Sequence, residues 1–216
     1  MKQLLIFIFS LTIVACDSSS LQTKRVAFKT THIPDTTNNF FAKLYDYPNY
    51  QIKQELTKQL NLDTLENNKT KTEIRIWEIG SNFNPQTLFI VKKTDTICNI
   101  KKIIFYLNYN QEGRQIKIDS VSSTKSNEKS ISQDEFNSLK TENIWHLNSQ
   151  SEMTNGRSYG CLDGSVLLTE LSNESSYKFL FHLCPYLHTT KDTTFKRILS
   201  FQHKIGRLIG IIDYAE

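Results

Sequence analysis

The chain has 216 residues, with 26 Lys and Arg against 22 Asp and Glu, a formal charge of +4. A charge that small and that evenly spread gives no electrostatic case for nucleic acid, and 7 Gly with 4 Pro exclude a collagen-like or loop-dominated chain. Thirteen Phe, nine Tyr and two Trp supply a core of real size, enough for one domain or one domain with a small N-terminal piece.

The chain opens with Met1–Cys16, MKQLLIFIFSLTIVAC, where Lys2 is the only charge before Asp17. About 11 apolar residues follow it, short of the roughly 20 that a spanning helix needs. Ile13-Val14-Ala15 then puts small or short-branched residues before a cysteine. Such residues let a signal peptidase bind extended backbone, and the thiol is available for thioether attachment of a diacylglycerol. The stretch resembles the lipobox of bacterial lipoproteins. That resemblance implies cleavage before Cys16, acylation of its thiol and new amino group, and incorporation of palmitate. Two or three acyl chains make a stable anchor where one would be marginal. The expected organisation is a signal peptide over 1–15, an acylated start and flexible stalk over 16–39, and one domain over 40–216.

Asp17–Asn39 is polar and rich in Ser and Thr, as a stalk requires. Phe40–Tyr45 is the first dense apolar cluster, and Pro48 disfavours helix at Tyr47. Tyr50–Leu62 predicts a helix, with Ile52, Leu56 and Leu60 on the buried side and Lys and Gln between them. From Thr72 the period changes to two. Glu73–Ile79, Thr87–Lys92, Ile100–Tyr109 and Arg114–Val121 predict four strands joined by short turns, an antiparallel meander. Ser122–Ser130 reads as a charged loop. Ser132-Gln133-Asp134-Glu135 matches a capping box, so a short helix burying Phe136 and Leu139 is expected after it.

Ile144–Leu147 is an apolar anchor, and Ser149–Arg157 a loop. Ser165–Leu171 and Tyr177–Leu183 predict a hairpin turning about Asn173-Glu174. Thr193–Ile212 predicts an amphipathic helix with Phe195, Ile198, Leu199, Ile205, Ile209 and Ile212 in one stripe and Lys196, Lys204 and Arg207 outward. Gly206 and Gly210 are expected to pack closely against the sheet. The fold class is α+β, an antiparallel sheet of about six strands with helices packed on one face.

If Cys16 carries lipid, then Cys98, Cys161 and Cys184 remain in an oxidising compartment, and three pairings are open. The hairpin favours Cys161–Cys184, since both thiols fall at its open end. A loop of roughly 24 residues closed this way stabilises by about 3 kcal/mol in the chain-entropy model.

No phosphate loop, His-Glu-x-x-His, Gly-x-Ser-x-Gly or Cys-x-x-Cys is present in the sequence. His182, Cys184 and His188 are the densest set of metal-ligand types, the minimum for zinc. A disulfide and a zinc thiolate exclude each other, so neither a metal nor any other cofactor is expected. Asp163, Glu170 and His182 could meet as an acid/base set only if the hairpin brings them into one pocket. Trp77 and Trp145 suit a ligand groove or, more simply, the core.

Asp followed by Ser or Thr and then an aliphatic residue or Thr occurs at Thr36, Thr64, Thr96, Ser120 and Thr193 as the central residue. This resembles the O-glycosylation sequon of some Gram-negative envelopes. Asp-Thr and Asp-Ser are also ordinary turn and cap pairs.

From Glu73 onward the order of features resembles a set of uncharacterised bacterial envelope lipoproteins. The features are Glu73–Trp77, Trp145, Cys161-Leu162-Asp163-Gly164, Tyr177–Pro185 and Phe195–Ile212. The resemblance implies a fold and a location, the bacterial cell envelope at the periplasmic face or cell surface. It brings no catalytic residue. The expected role is a membrane-anchored, non-enzymatic binding domain, held to the membrane through the lipid on Cys16 and meeting an envelope protein or glycan. The alternatives are an immunity or inhibitor lipoprotein against a toxin or lytic enzyme, and an envelope hydrolase.

Overall fold

A computed structural model describes residues 30–34, 36–37, 39–67, 72–80, 85–112, 115–153, 164–189 and 192–210. Met1–Cys16, Cys161 and Asp163 lie outside them.

Ile, Phe, Val and Trp in the middle of the chain fold as the alternation requires. Strands β2 (Thr72–Gly80), β3 (Gln86–Lys93), β4 (Cys98–Glu112) and β5 (Gln115–Ile131) form the antiparallel meander. The chain then crosses over the sheet, so that β6 (Ser165–Asn173) pairs antiparallel with the free edge of β2, and β7 (Ser176–Leu183) with β6. A short strand β1 (Thr30–His32) adds to β7 in parallel. The order is β1-β7-β6-β2-β3-β4-β5. The α+β class holds, but the sheet is mixed rather than purely antiparallel and larger than six strands.

Three local readings change. Thr30–His32 falls within the expected stalk, yet it is a sheet strand. Ser122–Ser130 is strand rather than loop, because β4 is long enough to pair with it from Cys98↔Ile131 to Tyr106↔Ser123, with Ser122 in the bulge beyond. The pairing is irregular at Tyr106/Leu107 and Asn108/Tyr109, where bulges re-aim the strand. As the sheet's last strand, β5 carries Lys, Ser and Glu along an edge that a hydrophobic sequence would leave sticky. The β6–β7 hairpin turns at Glu174-Ser175, with Asn173 Oδ1 accepting from the amides of Ser175 and Ser176. Leu171 therefore faces Lys178. That register lies two residues from the expected one, which leaves every side chain on its expected face.

Helices cover both faces, not one. On one side Ile74, Ile76, Phe89, Val91, Leu171 and Leu180 pack under three helices: α2 (Gln133–Ser138), α3 (Glu142–Trp145) and α6 (Thr193–Leu208). On the other, Trp77, Leu88, Phe105, Leu168, Tyr177 and Phe179 lie under α1 (Tyr47–Gln59). The central strands β2, β3, β6 and β7 are largely buried, so their apolar residues fill two separate cores.

Helix α1 begins earlier than Pro48 suggested. Asn39 Oδ1 accepts from Phe41 N and Ala42 N, and Ala42–Asp46 form a wide π-helical turn in which Tyr47 N reaches back to Ala42 O. The widened turn shifts the ladder just ahead of Pro48, which has no N–H to give. The buried side of α1 is Tyr50, Lys53, Leu56 and Thr57, and Ile52 is exposed. The helix is thus rotated from the expected Ile52–Leu56–Leu60 stripe, and a lysine points inward.

The capping box of α2 forms as its sequence requires: Ser132 Oγ accepts from Glu135 N at 3.1 Å and Glu135 Oε2 accepts from Ser132 N at 2.7 Å. Asp192 Oδ1 caps α6 through Thr194 N at 2.7 Å. At the other end of α6, Gly206 is buried, but Gly210 takes φ +79° with nothing near its Cβ position. It ends the helix instead of packing.

Past β1, the outer edge of β7 is covered by Ser149 and by α4 (Gln150–Met153). Ser149 Oγ exchanges hydrogen bonds with the backbone of Phe181, and Gln150 Oε1 accepts from Leu183 N.

Candidate functional site

The structure separates two residues of the expected acid/base set. Glu170 on β6 lies on the α1 face, while His182 on β7 lies on the α6 face beside Phe195. These two do not converge, and Asp163 lies outside the described residues. His182 is fully buried, and its Nε2 bonds to Asn148 O at 3.0 Å. Burial pushes its pKa down to about 4, so the ring is neutral near pH 7. Cys184 is buried at φ +46° and is disulfide-bonded. Its thiol is not available as a zinc ligand, which removes one of the three candidates. His188, on the short helix α5 (Pro185–His188), also packs against Phe195. Cys98 is buried and free.

Trp77 and Trp145 fall on opposite faces and share no groove. Trp77 is fully buried, and Trp145 packs at the margin of the α6 core. Of the sequon residues, Thr64, Thr96 and Thr193 are exposed, Thr36 is half-buried in a turn, and Ser120 Oγ accepts from Asn108 Nδ2 on β4.

Glu170 has a different partner, one the sequence reading missed. Lys53 Nζ reaches Glu170 Oε1 and Glu66 Oε1 at 3.0 Å each. Tyr177 OH and Trp77 Nε1 donate to the two oxygens of Glu170 at 3.1 and 2.9 Å, and Tyr50 OH donates to Glu66 at 2.7 Å. Lys53 also lies 4.4 Å from the centre of the Tyr50 ring. Burial alone would raise the Glu66 pKa, but Lys53 and Tyr50 hold it below the usual range. Burial and the neighbouring carboxylates push both tyrosine pKa values up. This set joins α1 to the sheet, with Lys53, Glu170, Trp77 and Tyr177 buried.

The surface with open chemistry is on α6. Lys196, Arg197 and Lys204 all point outward, and the helix holds no Asp or Glu between Thr193 and Leu208. With Lys140, in a left-handed conformation after α2, they ring a cleft of about 460 Å³ whose floor includes Leu139, Ile144 and Phe201. No carboxylate is among the described residues lining it. Lys196 and Lys204 were legible as part of an outward face, whereas Arg197 was not singled out and Lys140 joins them only through the packing of α2 and α3 on α6. Four like charges around an apolar floor favour an anionic, partly apolar occupant.

A second exposed surface lies at the start of the first helix, where Phe40, Leu44 and Tyr47 are solvent-facing. Among the described residues no helix is long and apolar enough to cross a membrane.

Comparisons with protein families, with curated proteins and with solved structures each return no match for the chain.

Proposed function

We propose that the chain is a lipoprotein of the bacterial cell envelope, anchored through an acylated Cys16, and that its domain is a non-enzymatic docking module for an acidic protein. The lipobox-like Met1–Cys16 supports the anchor. The observation that carries the docking role is the α6 cleft, four cations over an apolar floor with no lining carboxylate. The same reading assigns Cys161 as the partner of Cys184, since Cys98 is free and Cys16 is taken by lipid. A disulfide suits an oxidising compartment. It also assigns Thr64, Thr96 and Thr193, all exposed, as acceptors for O-linked glycans.

A second reading is an immunity or inhibitor lipoprotein. The exposed Phe40, Leu44 and Tyr47 favour it, because an apolar patch of that kind suits a tightly buried protein interface.

The test uses the tethered protein as bait in solubilised envelopes. Capture of an acidic protein should weaken with added salt and be lost in Lys196→Glu/Lys204→Glu, while palmitate labelling stays unchanged. It should survive Phe40→Ser/Leu44→Ser. Capture that ignores the charge reversal but fails with the apolar pair moves the role to the second reading. The anchor itself fails if Cys16→Ser still sediments with bilayers and the parent takes up no palmitate.

A further inference from the structure

Arg75 and Glu73 stand two residues apart on the α1 face of the central strand β2, and both are buried, at 2% and 3% exposure. A guanidinium has two edges for a carboxylate. The side edge of Arg75 is filled, since Nε and Nη2 both meet Glu73 Oε1, at 2.8 and 2.7 Å. The end edge is not. Nη1 is shielded from solvent and has no acceptor among the described residues, a rare condition for a buried charged donor. Glu170, directly across the sheet from Arg75, does not supply one, because Lys53, Trp77 and Tyr177 occupy it.

Arg75 lines a cleft of about 250 Å³ between the end of α1 and strands β2 to β4. The sheet register sets the other charges around it. Ile90 faces Arg75, and Lys101 faces Ile90 on the far side. Lys92 stands opposite Glu73, with its Nζ 3.7 Å from Oε2. Asp63 and Glu128 also line the cleft, and Asn99 Nδ2 donates to Glu128 at 3.1 Å. Among the described lining residues Arg75, Lys92 and Lys101 balance Glu73, Asp63 and Glu128, a set that tolerates one further negative charge far better than two. A planar fork in a near-neutral cleft matches a carboxylate rather than a phosphate.

We infer that this cleft binds a carboxylate, held end-on by Nη1 and Nη2 of Arg75 with Lys101 beside it. The group belongs to a small organic acid or to the C-terminus of a peptide. The site is separate from the α6 cleft and does not depend on it.

The test follows the Arg75 Nε–Hε resonance of the nitrogen-15-labelled whole chain in detergent. The probes are sodium acetate, N-acetyl-alanyl-alanine and sodium phosphate, at matched ionic strength. Acetate or the peptide should give a saturable shift that phosphate does not, and the tighter of the two identifies the source. Arg75→Lys, read on neighbouring β2 amides, should weaken binding about tenfold or more, because a lysine keeps the charge but not the fork. Should that variant not fold, Lys101→Gln at the rim decides, with a clear loss of acetate affinity expected. No saturable shift, a preference for phosphate, or affinity unchanged in the folded variants overturns the inference.

Discussion

Two buried charge sets lie side by side on the α1 face of the sheet, and they are finished differently. Glu170 and Arg75 are cross-strand neighbours. Glu170 is closed from above by Lys53 of α1 and from the side by Trp77 and Tyr177. Among the described residues, Arg75 is closed only by Glu73 of its own strand. The difference follows what α1 supplies to each. Its Lys53 reaches Glu170, whereas Asn61, Leu62 and Asp63, just past its end at Gln59, line the cleft at Arg75. Where the helix supplies the last partner, the ions become a structural clamp. Where it stops, a cleft with an unfilled donor remains. Burying an ion is costly in either case, so the partner that completes the set decides whether the result is stability or a site.

Breaking the closed set should give the largest effect. Lys53→Met leaves Glu170 and Glu66 without their cation in a nearly dry environment, at a cost of about 3 to 5 kcal/mol, read from urea denaturation. Adding Glu170→Gln should recover part of the loss, because the two residues form one unit. A loss under about 1 kcal/mol for Lys53→Met would show that apolar packing alone holds α1.

Two buried groups with no ion pair sharpen the contrast. Burial raises the Asp46 pKa to about 6 despite hydrogen bonds from Ser151 and Ser149, and lowers that of His182 to about 4. Raised in the folded state, Asp46 favours the protein below its unfolded value of 3.8, and that advantage is lost as pH rises through 6. Lowered in the folded state, His182 favours the protein above 6.5, and its contribution is lost as pH falls toward 4. The two therefore oppose each other between pH 4 and 6.5. Asp46→Asn should raise stability by about 2 to 3 kcal/mol above pH 6 and do little below pH 4. In that variant, stability should drop steadily from pH 6.5 to 4. A flat profile there would mean that His182 does not stay neutral.

The sequence was most legible where one residue's burial depends on its near neighbours. Glu73–Ile79 and Ile103–Tyr109 alternate, and they are strands in a meander. Ser132 and Glu135 form the box their spacing requires. Reading failed where distant chain supplies the reason. Lys53 looks like a solvent residue until Glu170, far along the chain, is placed beneath it. Ser122–Ser130 has the composition of a loop, and pairing with the long β4 makes it a strand. Thr30–His32 is three residues paired to the far end of the sequence. Helices were expected on one face of the sheet, whereas Glu73 and Arg75 are polar residues of a strand covered on both sides. The Arg75 cleft was hidden for the same reason: charges at alternate positions mimic a wet face.

The smallest effect belongs to a feature that local sequence dictates completely. Ser132 Oγ satisfies one otherwise unpaired amide at the start of α2, so Ser132→Ala should cost about 1 kcal/mol, seen as a lower urea midpoint with an unchanged slope. Because α2 has only six residues, the loss should be local. Hydrogen exchange should quicken first at Phe136 N, which bonds to Ser132 O, while the amides of β2 stay protected. A loosened α2 also loosens Lys140, which follows it, so salt-sensitive capture at the α6 cleft should weaken slightly. The Arg75 cleft, on the other face of the sheet, should keep its affinity for acetate. Equal weakening at both clefts would mean that the two faces are not independent.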